Sequence, residues 1–382
     1  MANVSNLVYI LWAILINVCF GFTPEVVLEQ VLFEGGDEGD VYAYRIPVAT
    51  LTSQGKVVVY AEARKYSRSD SNSKFIAGRT SVNGGYSWSV TEFLVNNFRT
   101  NDGINLGATL YNAERKELLI FYTECAHRTC ASGVTSNYML KSVDGGVSWQ
   151  PPVDISKANG TNNINNNLYN YSWSAGPGYG IQKKLEPHKG RLIVCGHTIR
   201  HTYYAMECII SDDQGSTWKI GASQPALPKY GPMTSGVFWP SEVQMLELRN
   251  GSILFNIRNE RKYQCACRIV MLSNDGGDTI DFDSIYFDAT LIDPTDAGAV
   301  LLHGDNIFFV NAANTGSRRN ITLRWSANDG KTWDGALSIY TGPAAYSTLT
   351  SVDENHIGVL YERSMSGKSD AGSIWFTLVK IK

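Results

Sequence analysis

An all-β fold, a six-bladed β-propeller, is what this sequence of 382 residues predicts, and three observations carry the expectation. One turn recurs: Ser142-Val143-Asp144-Gly145-Gly146-Val147-Ser148-Trp149 has counterparts beginning at Ser81, Ser211, Ser273 and Ser326, the copy at Ser273 lacking the tryptophan. The five starts are separated by 61, 69, 62 and 53 residues, a period that belongs to repeated β units rather than to one sheet. Short apolar runs at 56–63, 116–124, 191–197, 251–258, 306–313 and 356–363 lie between the turns, each bounded by Gly, Asn, Asp or Pro and none with a helical period. Recurring about once per interval, these runs read as blades of about four strands each.

In chain order, the first element is the apolar stretch from Leu7 to Phe20, with no charged residue before Glu25. It is short for a bilayer span. With Gly21 behind it, it suits the core of a signal peptide over residues 1–21, leaving 22–382 as the propeller. A retained signal anchor and a buried first strand are the competing readings, because no Lys or Arg precedes the stretch. Asn3, Asn159, Asn170, Asn250 and Asn320 begin N-x-S/T sequons, which fits a secreted protein or a lysosomal or membrane-associated one facing the lumen or the exterior. Beyond Cys19, the pairs Cys125/Cys130 and Cys195/Cys208 are spaced to close short loops. Cys265 and Cys267, two apart on a strand-like run, are expected to share a face and not to bond to each other. No His lies at finger-like spacing from the cysteines, which argues against zinc. The formal net charge of −3 provides no basic field, so nucleic acid is a poor partner. The polar segment 158–173 is an insertion, a loop that is functional or disordered rather than core.

The repeated turn has a physical reading of its own. An Asp at its third position bonds backbone amides within the turn, the glycines permit positive φ, and the tryptophan packs between neighbouring blades on the exterior. It is expected to be structural.

Charges able to do chemistry stand in other motifs. "YRIP" at 44–47, "AEAR" at 61–64, "GPGYGIQ" at 176–182, "SEVQMLEL" at 241–248, "NIR" at 256–258, "SRRNITLRWS" at 317–326, "YSTLT" at 346–350 and "LYER" at 360–363 follow one another in this order. The ordered set resembles the exo-α-sialidases (neuraminidases) over essentially the whole chain after about residue 27, and the repeated turns resemble that family's Asp boxes. The resemblance implies a six-bladed propeller that removes terminal sialic acid from glycoproteins, glycolipids or oligosaccharides, with no cofactor and no metal. Carried over motif by motif, it makes Arg45, Arg258 and Arg318 the three arginines that hold the substrate carboxylate, and Glu362 the acid that pairs with Arg45. Tyr346 becomes the nucleophile, Glu242 the group that deprotonates it, Asp70 the acid/base, and Arg64 a pocket-lining residue.

The chemistry suits the substrate class. Sialic acid is a permanent anion, and planar guanidinium forks bind carboxylate bidentately as lysine cannot. A neutral tyrosine nucleophile avoids setting a second carboxylate against the substrate's own, the exception sialidases make among glycosidases. Arg319, Arg324, Arg363 and Arg268 compete for the carboxylate, and Glu247, five residues after Glu242, competes for the role of base. A sialyl-transferring or intramolecular enzyme shares the constellation, whereas a non-catalytic sialic-acid-binding propeller would be expected to have lost Tyr346, Glu242 or Asp70.

Overall fold

The structure is a computed structural model that describes residues 23–70, 73–95, 103–125, 135–156, 172–200, 203–228, 234–367, 369 and 371–382. Among them there is no helix; the chain forms strands gathered into six sheets around a common axis. β1 (Glu25–Glu34) comes first, and β2 (Ala43–Leu51), β3 (Val57–Arg64), β4 (Lys74–Ser81) and β5 (Glu92–Leu94) make the first blade. The second contains β6 (Gly103–Asn112), β7 (Glu117–Cys125), β8 (Thr135–Ser142) and β9 (Val153–Asp154). Three short strands follow: β10 (Ser172–Ala175), β11 (Gly178–Tyr179) and β12 (Ile181–Gln182). β10 and β12 pair with β13 (Leu192–Arg200), which with β14 (Tyr203–Ser211) and β15 (Lys219–Pro225) makes the third blade, while β11 pairs in parallel with β6.

The fourth blade is β16 (Pro240–Glu247), β17 (Ile253–Asn259), β18 (Cys267–Ser273) and β19 (Asp281–Ile292). The fifth is β20 (Ala299–His303), β21 (Asn306–Ala312), β22 (Arg319–Ser326) and β23 (Gly335–Pro343). The last, β24 (Ser347–Asp353), β25 (His356–Arg363) and β26 (Ser373–Lys380), takes β1 as its outermost strand. The two ends of the propeller are thereby stitched into one sheet, and the ring closes without an open edge between first and last blades.

Each blade is sandwiched between two others, which explains why the strands read as continuous apolar runs. β3 is buried along its whole length. Val57, Val59, Ala61 and Ala63 pack towards Phe376 and Leu378 of the last blade, while Val58 and Tyr60 pack towards Leu118 and Ile120 of the second. Five further apolar clusters repeat this between successive blades or fill the centre. The central one, Ile46, Ala297, Ala345 and Tyr346, brings together three blades.

The five recurrent turns close on themselves at the outer edge. In the copy at Ser142, the Gly146 amide donates to Ser142 Oγ at 2.8 Å and that hydroxyl donates to Asp144 Oδ1 at 2.7 Å. Asp144 also accepts from the amides of Val147 (3.0 Å) and Ser148 (2.9 Å) and from Ser148 Oγ (2.5 Å). Asn83 and Asn328 replace the aspartate in two copies and instead donate Nδ2 to the hydroxyls of Ser87 (2.9 Å) and Thr332 (2.8 Å). The tryptophans reach the preceding blade: Trp88 lies 5.0 Å from Phe376, Trp149 5.9 Å from Tyr60 and Trp218 5.2 Å from Phe121. Trp333 donates Nε1 to Asp288 of the fourth blade at 2.8 Å, and in the copy without tryptophan Ile280 packs against the third blade's core. Gly85 has φ +86°, and a Cβ there would stand 2.5 Å from the Phe376 ring, so the turn needs glycine both for its backbone and for blade contact.

Cys195 and Cys208 face each other across β13 and β14 and are disulfide-bonded. Cys265 and Cys267 are also joined, with Cα atoms 5.3 Å apart, which corrects the expectation that they would not bond to each other. The reason is local: β18 begins only at Cys267, and Cys265 lies in the tight turn before it, where strand alternation does not apply. The Cys125/Cys130 pairing, the signal-peptide reading of residues 1–21 and nearly all of the 158–173 insertion lie outside the described residues.

Candidate active site

Where strands turn into one mouth of the propeller, three pairings lose register: between Arg45 and Val48, between Pro240 and Val243, and between Arg319 and Ile321. Bulges re-aim side chains, and here they fall beside Arg45, Glu242 and Arg318. Three of the non-glycine residues with left-handed backbone stand at the same places, Ile46 (φ +57°), Thr295 (φ +83°) and Asn320 (φ +64°). Such conformations are sparsely populated for β-branched residues, and a surrounding structure must impose them. At Ile46 the reason is visible: the turned amide donates to Glu362 Oε1 at 2.7 Å.

Arg45, Arg258 and Arg318 are brought together around Tyr346. The Arg45 and Arg318 guanidinium carbons lie 5.3 and 5.2 Å from the Tyr346 ring centroid, and Arg258 Nη1 donates to the Tyr346 hydroxyl at 2.9 Å. Like charges this close repel, and each arginine has an acid. Arg45 donates Nε to Glu362 at 3.1 Å; Arg258 meets Glu242 at 2.8 Å and Glu260 at 2.7 Å; Arg318 Nε lies 3.3 Å from Asp296.

Tyr346 donates its hydroxyl to Glu242 Oε1 at 2.5 Å. Burial, and then the Glu242 charge, push the phenol well above its ordinary range despite Arg258 and Arg318. Burial works to raise Glu242 too, yet Arg258, His197 and the Tyr346 hydroxyl outweigh it and hold that carboxyl below its ordinary value. The pair therefore rests as tyrosine and carboxylate, a donor already aimed at its acceptor.

Asp70 lies on the loop after β3, with a side chain 77% exposed, ion-paired to Arg64 at 2.8 Å and Arg45 at 3.4 Å. The protein around this open side chain withdraws some water and raises its pKa, but Arg64, Arg45 and Lys74 together outweigh that and hold it below the ordinary carboxylate value. Arg64, 1% exposed, is fixed by Glu62 at 2.6 Å. All eight residues singled out in the sequence thus belong to one connected network.

The competitors stand elsewhere. Glu247 accepts from Lys183 Nζ at 2.7 Å and the Lys184 amide at 2.6 Å, pinning a loop between blades. Arg268 is buried against Asp293, Arg319 reaches out to the Thr341 carbonyl, and Arg363 lies over the Trp375 ring while pairing with Glu29. Arg324 is flanked by Asp288 of the fourth blade. Sequence reasoning missed Glu62, Glu260 and Asp296. The first stands inside the quoted "AEAR" and the second two residues beyond "NIR", whereas "LIDPTDAG" around Asp296 presents nothing to mark it.

Residues 55–359, most of the chain, match the family described as BNR repeat-like domain. Over 361 residues the chain is 29% identical to a sialidase of Micromonospora viridifaciens, covering 87% of this chain and 52% of that protein. Over 383 residues it is 24% identical to Sialidase-2 of Cricetulus griseus, covering 89% of this chain and 93% of that one. The chain belongs to the sialidase (neuraminidase) family. It spans about half the length of the Micromonospora sialidase it matches. Among solved structures, the sialidase fold recurs in the Hadza microbial sialidase Hz136, with a TM-score of 0.76 at 21% identity over 93% of this chain and 68% of the other. It recurs also in the intramolecular trans-sialidase of Ruminococcus gnavus, with a TM-score of 0.73 at 14% identity over 92% and 97%.

Proposed function

We propose that this sialidase-family chain is an exo-α-sialidase, a glycoside hydrolase releasing terminal α-linked sialic acid from glycoproteins, glycolipids or oligosaccharides. The observation that carries the reading is the Tyr346 hydroxyl, 2.5 Å from Glu242 and 2.9 Å from Arg258. A phenol so placed between a proton acceptor and a cation is a nucleophile awaiting an anionic sugar. Arg45, Arg258 and Arg318 take the substrate carboxylate and set the anomeric carbon over Tyr346. Asp70 gives its proton to the leaving glycosidic oxygen as the carbon–oxygen bond breaks. Glu242 takes the phenolic proton as Tyr346 oxygen bonds the anomeric carbon. Water, deprotonated by Asp70, then displaces the tyrosine, which recovers its proton from Glu242, so the configuration is retained through two inversions.

The test is turnover of an aryl α-sialoside and of sialyl-lactose, with the products followed by NMR. Free sialic acid released first as the α-anomer is the expected result. No turnover of either substrate overturns the reading, and an anhydro or transferred sugar replaces hydrolysis by an intramolecular or transferring reaction. A lumenal or extracellular location is part of the proposal, supported by the Cys195–Cys208 and Cys265–Cys267 bonds, since such bonds persist in oxidising compartments. N-terminal sequencing of the protein from its native cells, showing the chain beginning near residue 22, tests it; an intact Met1 overturns the cleaved-signal reading.

A further inference from the structure

The acids that serve the three arginines are not equivalent. Glu362, fully buried, is satisfied by the Ile46 amide at 2.7 Å and by Arg45 at 3.1 Å. Asp296 is equally buried, but neither carboxyl oxygen accepts a hydrogen bond among the described residues, and its contact with Arg318 Nε is 3.3 Å. Transferring a carboxylate from water without donors is expensive, so its position must be imposed from outside.

The imposing groups are visible. Asp293 Oδ1 accepts from the amides of Thr295 at 2.8 Å and Asp296 at 2.9 Å. Arg268, itself buried, donates to the Asp296 carbonyl at 2.6 Å and to Asp293 at 3.2 Å, and Asn311 donates to Asp293 at 3.0 Å. The left-handed Thr295 turns its carbonyl to Arg318 Nη2 at 3.3 Å. One rigid loop therefore delivers a carbonyl and a carboxyl to the most exposed arginine of the three, at 29% against 11% and 12% for Arg45 and Arg258.

We propose that Asp296 is a positioning residue of the carboxylate site: it holds Arg318 in the empty pocket and competes with the substrate carboxylate for that arginine, so that it becomes a neutral acid when the substrate binds. This rests on the reading of Arg318 as a substrate ligand. Two anions sharing one guanidinium, one of them fully buried, cannot both stay charged cheaply, and the partly exposed side of Arg318 gives water access to supply the proton. The groups facing Asp296 are Arg318, Arg258, Tyr346, Glu362 and its loop neighbour Asp293, and burial followed by the two acids already pushes it well above the ordinary aspartate range against the pull of the arginines.

The test is calorimetric binding of 2-deoxy-2,3-dehydro-N-acetylneuraminic acid, an unreactive anionic analogue, by the full chain in buffers of different ionisation enthalpy. Wild type is expected to take up a proton on binding and to lose up to about tenfold in affinity per pH unit on the alkaline side, the slope of one linked proton. Asp296→Asn, which keeps the shape, is expected to match wild type within about threefold at the acid end, to lose that slope and to take up no proton at that step. Asp296→Ala is expected to bind about tenfold more weakly throughout, because Arg318 loses its support. An unaltered slope and uptake in a folded Asp296→Asn overturn the proposal, and so does wild-type binding without uptake whatever the variants do. Turnover by such a wild type leaves the sialidase reading standing; binding with uptake but no turnover leaves Asp296 its role and removes the hydrolase; no binding removes both.

Discussion

Asp144 and Asp296 are the same side chain at two extremes of this propeller. Asp144 stands exposed in the second blade's repeated turn, where Ser148, Ser142 and the Val147 amide surround it with donors and hold its pKa below the ordinary range. Asp296 is buried at the centre, its carboxyl without a hydrogen bond among the described residues and pushed the other way. The contrast separates two uses of polarity. At the rim, each carboxyl closes a turn and its work is finished on folding; at the centre, carboxyls and guanidiniums are held in place by surrounding structure with capacity left for a ligand. The backbone follows a related division: at positive φ the rim turns use glycine or a polar residue such as Gln214 or Asp329, whereas beside the pocket the β-branched Ile46 and Thr295 adopt such angles.

Four results would break or sharpen this division. The largest effect is expected for Tyr346→Phe, whose turnover of an aryl sialoside should fall by about three orders of magnitude. Its melting temperature should barely move, because Glu242 and Arg258 still pair; a large loss of stability with retained activity would reverse the roles assigned to centre and rim. Glu362→Gln removes the charge that Arg45 faces and should cost about 3 kcal/mol of stability in urea unfolding. It should also raise KM more than about tenfold, so it is a central position where packing and binding are inseparable.

The pH profile comes next. Asp70 must be protonated to serve the leaving oxygen, and in the free protein the arginines hold its pKa low, against burial. kcat/KM, which follows the free enzyme, is therefore expected to fall about tenfold per pH unit above that low pKa. The limb in kcat should lie at higher pH, because bound substrate carboxylate neutralises Arg45 and excludes water. Coincident limbs in a stopped-flow and steady-state comparison would contradict this.

The smallest effects belong to the rim. Asp144→Ala should cost about 1–2 kcal/mol with kcat and KM unchanged. Asp144→Asn should cost about 0.5 kcal/mol, since Asn83 and Asn328 already fill the position in two copies. Because the folded pKa of Asp144 is depressed, its contribution is complete above the unfolded value and lost as pH falls towards the folded one. The asparagine variant should therefore be less sensitive to acid, and thermal melts across that range decide it.

Much of this is legible along the chain alone. The turn period and the apolar runs announce the blades because each blade repeats one local solution, with its glycines and tryptophan at fixed offsets. Arg45, Arg258, Arg318, Glu242, Tyr346 and Glu362 were legible because each sits in a motif tied to a strand end. Cys265 misled because alternation was assumed for a residue that precedes its strand. Glu247 stays a rival to Glu242 along the chain, since nothing there places Lys183 beside it.

By itself, then, the sequence determined the repeat, the register of apolar faces and the residue types offered at the mouth, all of which depend on neighbours a few positions apart. Only the tertiary structure decided which charges face one another: Asp70 with Arg64, Glu62 beneath Arg64, Asp296 under Arg318. Those pairings depend on how turns and loops fold back in space rather than on a pattern along the chain, and the energy of a charge is set by what surrounds it.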